Sequence, residues 1–212
     1  MTADIRTVPV TLLRAGAALL GAYGYVLGLW LARHGLNPEP VATVREWVNR
    51  PLGLGEDFGP LAVMLLLAAT GYAIGGRRPV RLVLTAVPAL VATACVCFFV
   101  YHDMARLLEF LPLVLIGLVT RWTLGGTLPT WAGVLLGAAC FGAVIAADDA
   151  LPGLRRWWYP VAATFAALLF LVAVRPGPTA TAVAAHPVTR GLALVAEVPL
   201  LVGSALALVV VP

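Results

Sequence analysis

The chain contains repeated apolar stretches, each close in length to the thickness of a membrane. An α-helix rises 1.5 Å per residue, so roughly 20 mainly apolar residues cross a hydrocarbon core about 30 Å thick. Seven stretches come near this length: 10–32, 58–76, 82–101, 107–124, 130–147, 157–174 and 191–211. In lipid only helices and closed barrels satisfy their backbone hydrogen bonds. The sequence therefore predicts an all-α fold, a polytopic transmembrane bundle of about seven spanning helices that forms one integral membrane domain over residues 1–212.

The charge content supports a lipid rather than an aqueous environment. Charged residues make up 11% of the sequence, whereas roughly 25% is usual in soluble domains, and mean hydropathy is +0.97. The formal net charge is +4, but the arginines are scattered at the ends of apolar stretches rather than clustered as in a nucleic-acid-binding surface. We therefore expect the lipid bilayer, and no nucleic acid, as a partner.

Two further features of composition bear on origin and on metal binding. Every basic residue is Arg and none is Lys, which together with the many Ala, Val, Leu and Gly residues indicates a bacterial genome of high GC content. Cys95, Cys97 and Cys140 all fall inside apolar stretches and lack the spacing of a metal site. The sequence predicts no metal centre.

The distribution of arginines predicts the orientation of the bundle. With the N-terminus in the cytoplasm, eight arginines lie on the cytoplasmic side and six on the other. Because arginines accumulate in cytoplasmic loops, this count favours a multi-pass protein of the cytoplasmic (inner) membrane with its N-terminus inside.

The long connection 33–57 differs from the other loops, which are short. It opens with a helix-breaking run at 37–40 and continues with apolar residues at helical spacing: Val41, Val44, Trp47 and Val48. This pattern predicts a short amphipathic helix that lies at the interface of the membrane, on its extracytoplasmic side.

Pairs of glycines four residues apart predict where helices pack closely. Small residues at this spacing allow two helix backbones to approach. The pairs are Gly24 with Gly28, Gly71 with Gly75, and Gly133 with Gly137.

Arg14 lies within the first apolar stretch, where an arginine costs roughly 2.5–3.5 kcal/mol on insertion scales. It either reaches back to the lipid headgroups or holds an anionic ligand. Tyr25 follows eleven residues later, which in an unbroken α-helix returns to within about 20° of the same face, roughly 16 Å further along. A ligand held at Arg14 would then extend toward Tyr25.

A second polar cluster follows the second apolar stretch. Thr70-Gly71-Tyr72 lies near its end, and Arg78 and Arg81 follow as an Arg-x-x-Arg pair. Arginines in such a tight loop are a common topology signal. They would also suit a site for a phosphorylated ligand, because guanidinium groups bind phosphate oxygens in pairs.

The order of these motifs resembles that of the membrane-bound acyltransferase-3 family. The resemblance rests on Arg14 with Tyr25, on Thr70-Gly71-Tyr72, and on Arg78 with Arg81. It implies transfer of an acyl group from acyl-CoA, as donor substrate, to a hydroxyl acceptor such as a glycan. By this resemblance Arg14, Arg78 and Arg81 would hold the phosphates of coenzyme A from the cytoplasmic side. Thr70 would donate a hydrogen bond to the developing oxyanion, and Tyr25 would stand at the position of the general base.

The chain departs from the family at this base, where the family carries histidine. A phenol with an ordinary pKa near 10 is ionised in only about one molecule in a thousand at pH 7. The chain also has about three helices fewer than the roughly ten that the family implies. We therefore expect impaired catalysis.

Two alternatives involve no acyl transfer. The chain would serve either as a membrane subunit, packed on another membrane protein or on a second copy of itself, or as a small transporter. The transporter would use Glu109 and Glu197, the acidic residues nearest the membrane interior, as relays. Such residues more often pair with an arginine, here Arg106 or Arg190.

Overall fold

The computed structural model describes residues 8–28, 31, 34–52, 58–76, 106–150, 158–175, 177, 182, 186 and 187. All regular elements in this part of the chain are helical, which confirms the predicted all-α class there. The main helices are α1 (Val8–Gly21), α4 (Gly59–Ile74), α5 (Arg106–Leu124), α6 (Thr130–Ala150) and α7 (Trp158–Val174). A π-helix, π1 (Ala22–Gly28), continues α1, and the connection before α4 contains α2 (Glu39–Val44), π2 (Arg45–Asn49) and α3 (Arg50–Leu52).

These helices agree closely with the predicted apolar stretches wherever both can be compared. The second, fourth, fifth and sixth stretches correspond to α4, α5, α6 and α7, and the first corresponds to α1 with π1. The stretches 82–101 and 191–211 lie outside the described residues. By length and composition, one described helix is able to cross a membrane, namely α6 over Thr130–Ala147. The apolar parts of the other main helices are shorter.

Helix α4 forms the centre of the described bundle. Every residue from Gly59 to Tyr72 is buried, and α4 packs along α1, α5 and α7. Since its sequence is apolar on all sides, it loses contact with solvent in every direction when other helices surround it. Pro60 stands in the first turn, where no backbone N–H is needed for the helix.

The contacts of α4 fix the relative directions of its neighbours. At the end of α1, a Cβ on Gly21 would lie 3.7 Å from the Cβ of Ala62, near the start of α4. Because α1 packs along α4 while π1 contacts it only slightly, α1 and α4 are antiparallel. Tyr72 and Phe170, each near the end of its helix, have ring centroids 6.0 Å apart, so α4 and α7 are parallel.

Helices α4 and α5 are also parallel and approach each other unusually closely. A Cβ on Gly71 would lie 2.8 Å from the carbonyl carbon of Val114, and one on Gly117 would lie 2.6 Å from the amide nitrogen of Tyr72. Both distances are shorter than van der Waals contact, so each glycine is required where the two backbones meet. Gly75, one turn after Gly71, lies beside Leu118 of α5. The predicted packing role of Gly71 and Gly75 is confirmed.

A tight turn joins α5 to α6 and makes them antiparallel. Gly126 has a φ of +75°, which a glycine adopts without strain, and its amide donates to the carbonyl of Thr123 at 3.1 Å. A Cβ on Gly133 would lie 2.9 Å from the Cγ2 of Thr123, so Gly133 packs as predicted. Gly137 was predicted to pack with it, but no described residue lies within 4 Å of its Cβ position, so a packing role for Gly137 stays a prediction.

Helices α6 and α7 present large apolar side chains outward. Trp131 is 69% exposed, Val134 and Leu135 are similarly exposed, and Val172 of α7 is 73% exposed. Only 11% of the apolar stretch of α6 is buried. Contiguous apolar surface of this kind is typical of contact with lipid or with another protein.

The predicted short helix in the connection 33–57 is present as the continuous helical run from α2 to α3. Within this run Val41 is buried whereas Trp47 is 75% exposed. Trp47 lies in π2, whose wider turn shifts it around the axis relative to its place in an α-helix.

Candidate functional site

Arg14 is buried inside the described bundle with an exposed fraction of 4%. It shares a face of α1 with Val10 and Ala17, both part of the apolar core, because residues four and three apart lie above one another on a helix. Seven residues separate it from Gly21, which is about 10 Å along the axis. Since α1 runs antiparallel to α4 and Gly21 lies beside Ala62, Arg14 lies at about the level of Thr70.

Thr70 is 2% exposed, and its hydroxyl has no hydrogen-bond partner in the part of the chain that the structure describes. Three threonines of α5 and α7 behave differently. Thr120, Thr123 and Thr164 each donate to the carbonyl four residues earlier, at 2.7–2.8 Å. A buried hydroxyl without a partner costs about 1–3 kcal/mol. Thr70 is therefore suited to donate to a group that enters the bundle at the level of Arg14.

The position of Tyr25 on the first helix differs from the sequence-based expectation. Position 25 lies in π1, and each turn of a π-helix holds roughly one residue more than an α-turn. Over the four residues after Gly21 the π-helix therefore turns roughly 70–80° less about its axis than an α-helix would. Positions 14 and 25 are therefore about 50–60° apart around the axis, instead of the roughly 20° of an unbroken α-helix. The side chain of Tyr25 lies outside the described part of the structure.

Several other residues singled out from the sequence also lie outside the described part. These are Arg78, Arg81, Glu197 and Arg190, and the side chains of Glu109 and Arg106. Of the five predicted site residues, the structure thus brings Arg14 and Thr70 to one level of the bundle.

Tyr72, the third residue of the Thr-Gly-Tyr motif, connects three helices. Nη1 of Arg121, in the last turn of α5, donates to the Tyr72 hydroxyl at 3.3 Å, and the guanidinium carbon lies 5.2 Å from the ring centroid. On the other side, the Phe170 ring of α7 meets the Tyr72 ring at 74°. A cation over an aromatic ring and a perpendicular ring pair are both favourable arrangements.

Sequence reasoning did not identify Arg121 as part of this cluster. The two residues are 49 positions apart. A signal existed, because Tyr72 and Arg121 both lie near the carboxyl ends of stretches predicted to run in the same direction. Which arginine at that end meets the tyrosine depends on the crossing of α4 with α5, and the sequence pattern does not reveal that crossing.

The end of the bundle where α4, α5 and α7 terminate is rich in positive charge; we call it the basic end. Its described residues, at 8–16, 70–76, 118–130 and 170–175, include Arg14, Arg121 and Arg175 and contain no Asp or Glu. Arg175 follows α7 and is exposed, whereas Arg121 is half-buried. The opposite end carries both signs of charge, since Glu39 and Glu46 occur there together with arginines.

No known protein family, curated protein or solved structure matches this chain. Functional inference therefore starts from the residues of the chain itself.

Proposed function

We propose that the chain is a multi-pass protein of the bacterial inner membrane with its N-terminus in the cytoplasm. Three observations support this proposal. The α6 helix is long, apolar and exposed along most of its length. The directions of the main helices are those required if they are the first, second, fourth, fifth and sixth of seven alternating spans. The basic end is the one that this orientation places in the cytoplasm.

Within the bundle, the basic end binds an anionic ligand that carries phosphate groups. One observation carries this assignment: Arg14 is buried at the level of Thr70, whose buried hydroxyl lacks a partner among the described residues. A charged donor and a hydroxyl donor at one depth suit a ligand with several acceptor oxygens. The acyltransferase-3 resemblance names acyl-CoA as the ligand, with Arg78 and Arg81 adding charge at the cytoplasmic entrance.

Acyl transfer to a hydroxyl acceptor is the reaction that this ligand implies. Thr70 would donate to the oxyanion that develops on the thioester carbonyl, and the acceptor hydroxyl would lose its proton to a base. Tyr25 is a poor base at neutral pH, and the π-helical turn widens the angle between its position and that of Arg14 to about 50–60°. We therefore expect ligand binding with slow turnover or none.

A second candidate function is that of a non-enzymatic membrane subunit. It is favoured by the packing of the Thr-Gly-Tyr motif, because Gly71 is required at the α4–α5 crossing and Tyr72 contacts Arg121. These two residues are explained without any ligand. The outward apolar surfaces of α6 and α7 would then contact a partner membrane protein or a second copy of the chain.

Thr70 allows the two functions to be separated. Coenzyme A and an acyl-CoA are titrated calorimetrically into the purified protein in uncharged detergent, at low and high salt. The native chain should bind them more weakly as salt rises. The change Thr70→Val removes the hydroxyl at nearly constant volume and should weaken binding several-fold without loss of thermal stability. Thr164→Val, on the exposed face of α7, is the matched control and should bind like the native protein.

The subunit function predicts a different pattern. Thr70→Val would then raise the melting temperature, since it removes an unsatisfied buried group, and neither threonine variant would change ligand binding. Absence of any binding to the native chain at millimolar coenzyme A would refute the ligand-binding proposal.

A further inference from the structure

We propose that Phe58 and π1 form a latch at the end of the bundle opposite the basic end, and that this latch holds position 25 out of line with Arg14. By a latch we mean a side-chain contact that keeps two unfavourable backbone conformations in place. The inference rests in part on the proposed function, because the proposed acyl transfer needs these two positions on one face. The contact itself is independent of any ligand.

The backbone of Phe58 is the first of the two unfavourable conformations. Phe58 precedes α4 with a φ of 60° and a ψ of 3°, in the left-handed region. The other positive φ values in the described part of the chain belong to glycines, Gly35 and Gly126. For a bulky residue such a φ is an outlier. Outliers of this kind persist only where the surrounding structure holds them, and they are concentrated at functional sites and switch regions.

The second unfavourable conformation is π1 itself. It extends over the seven residues Ala22–Gly28 and follows directly on the regular helix α1. π-Helices are rare, occur mostly as single wide turns within α-helices, and are frequent at functional sites. The same sequence in an α-helical conformation would simply continue α1.

The two outliers meet through their aromatic rings. The centroids of the Tyr23 ring, in π1, and the Phe58 ring are 6.3 Å apart, and the ring planes are inclined by 54°. This separation lies within the range of favourable aromatic pairs. Phe58 also packs against the apolar core. One contact thus links both outliers, and its loss leaves π1 free to become α-helical.

Relaxation of π1 would change the direction of position 25. It turns this position by roughly 70–80° about the axis, from about 50–60° away from Arg14 to within about 20° of it. The rotation does not need to spread far along the chain. Residues 34–40 are all exposed, and Gly35 has a φ of +65°, so this turn is able to absorb a change in backbone angles. A closed latch therefore keeps position 25 out of line with Arg14, and an open latch aligns the two.

The experiment measures the rotation of π1 with two spin labels. Leu27→Cys and Thr164→Cys, both at exposed positions, are labelled in a cysteine-free background of the full-length protein in uncharged detergent. Phe58→Gly removes the ring, while glycine adopts the same φ without strain and so preserves the start of α4. The distance distribution should gain a second population, displaced by roughly 7 Å for a group about 6 Å from the helix axis. Phe141→Ala removes another partly buried ring of the core and should keep the native distribution.

Deletion of Ala22 tests whether the shift comes from π1. The deletion removes the additional residue of the wide turn, so the helix becomes α-helical without turning the residues that follow. Phe58→Gly should then leave the label distance unchanged. A native distribution in Phe58→Gly, or an equal shift with and without Ala22, would refute the latch.

A second measurement separates the latch from the function on which its consequence rests. Release of coenzyme A from acyl-CoA is compared between Tyr25→His and the double variant Tyr25→His with Phe58→Gly. The double variant should release coenzyme A several-fold faster, because the new base is aligned with Arg14. Equal release in both, with the label shift present, would refute control of position 25 while the latch stands. If the native chain binds no coenzyme A, the proposed function fails and the label distances still decide the latch.

Discussion

The close crossing of α4 and α5 makes Gly71→Ala a sharp test of the fold. The new Cβ would lie 2.8 Å from the carbonyl carbon of Val114, about 0.6 Å inside ordinary contact, and closer still to the carbonyl oxygen. Neither neighbour is a flexible side chain, so the helices must separate. Overpacking costs about 1–3 kcal/mol, and a clash with backbone atoms that cannot move aside should cost about 2–3 kcal/mol. Alanine returns roughly 1 kcal/mol through its higher helix propensity.

We expect a net destabilisation of about 1–2 kcal/mol, which for a chain of this size lowers the melting temperature by about 2–8 °C. The matched control is Gly137→Ala in α6, because the Cβ position there has open space. This variant should keep or slightly raise the melting temperature through helix propensity. Thermal unfolding in detergent, followed by tryptophan fluorescence, measures both.

Gly117 permits a second check of the same crossing. Its Cβ would meet the backbone of α4 one turn from Gly71, so the variant Gly117→Ala should be destabilised like Gly71→Ala. Once one Cβ has separated the helices the second costs less, and the double variant should lose less stability than the two single losses together. Equal melting temperatures for Gly71→Ala and Gly137→Ala would refute the close approach of α4 and α5.

Three further predictions concern topology, catalysis and the α5–α6 turn. In a cysteine-free background, Thr43→Cys should react with an impermeant thiol reagent in intact cells, whereas Thr127→Cys should react only after permeabilisation. These two exposed residues lie at opposite ends of the bundle, so the reverse pattern of labelling would show the opposite orientation. Tyr25→His should increase release of coenzyme A from acyl-CoA in the presence of a hydroxyl acceptor, whereas rapid release by the native chain that survives Tyr25→Phe would place the base elsewhere. Gly126→Ala, at a φ of +75°, should cost about 1–2 kcal/mol in thermal unfolding, while Gly142→Ala, in open space, should cost nothing.

The boundaries of the helices were the part of the fold most accessible from the sequence. The prediction 130–147 and the observed Thr130–Ala150 begin at the same residue, because Pro129 ends the preceding turn and a long apolar run follows. Helix length and apolar content depend on the local sequence, and the length needed to cross a membrane makes both of them clear signals in the sequence. Pro112 lies inside α5, which continues through it.

Contacts between helices were less accessible, because they depend on crossing angles. The pair Gly71 and Gly75 packs as expected, but its partner Gly117 belongs to no glycine pair in the sequence. Gly137 has the favoured spacing, yet no residue in the described part of the chain lies within 4 Å of its Cβ position. Spacing therefore indicates that a helix is able to pack closely, whereas the position of the neighbouring helix decides whether it does.

The burial of two predicted site residues agreed with the sequence, whereas the relative geometry of others was harder to predict. Arg14 and Thr70 both proved to be buried, as polar residues in apolar stretches with a specific role are expected to be. The expected alignment of positions 14 and 25 assumed a regular α-helix, and the π-helical turn changes that rotation. No apolar pattern in residues 22–28 distinguishes a π-turn from an α-turn.

The shared direction of α4, α5 and α7 has an electrostatic consequence for the basic end. Each helix carries roughly half a negative elementary charge at its carboxyl terminus and half a positive one at its amino terminus. Among the described helices, the carboxyl termini of α4, α5 and α7 meet the amino termini of α1 and α6 at the basic end, and together these place roughly half a negative charge there. This backbone field stabilises arginines and opposes anions. An anionic ligand at this end, as proposed above, would therefore depend on guanidinium side chains to offset the field of these helices.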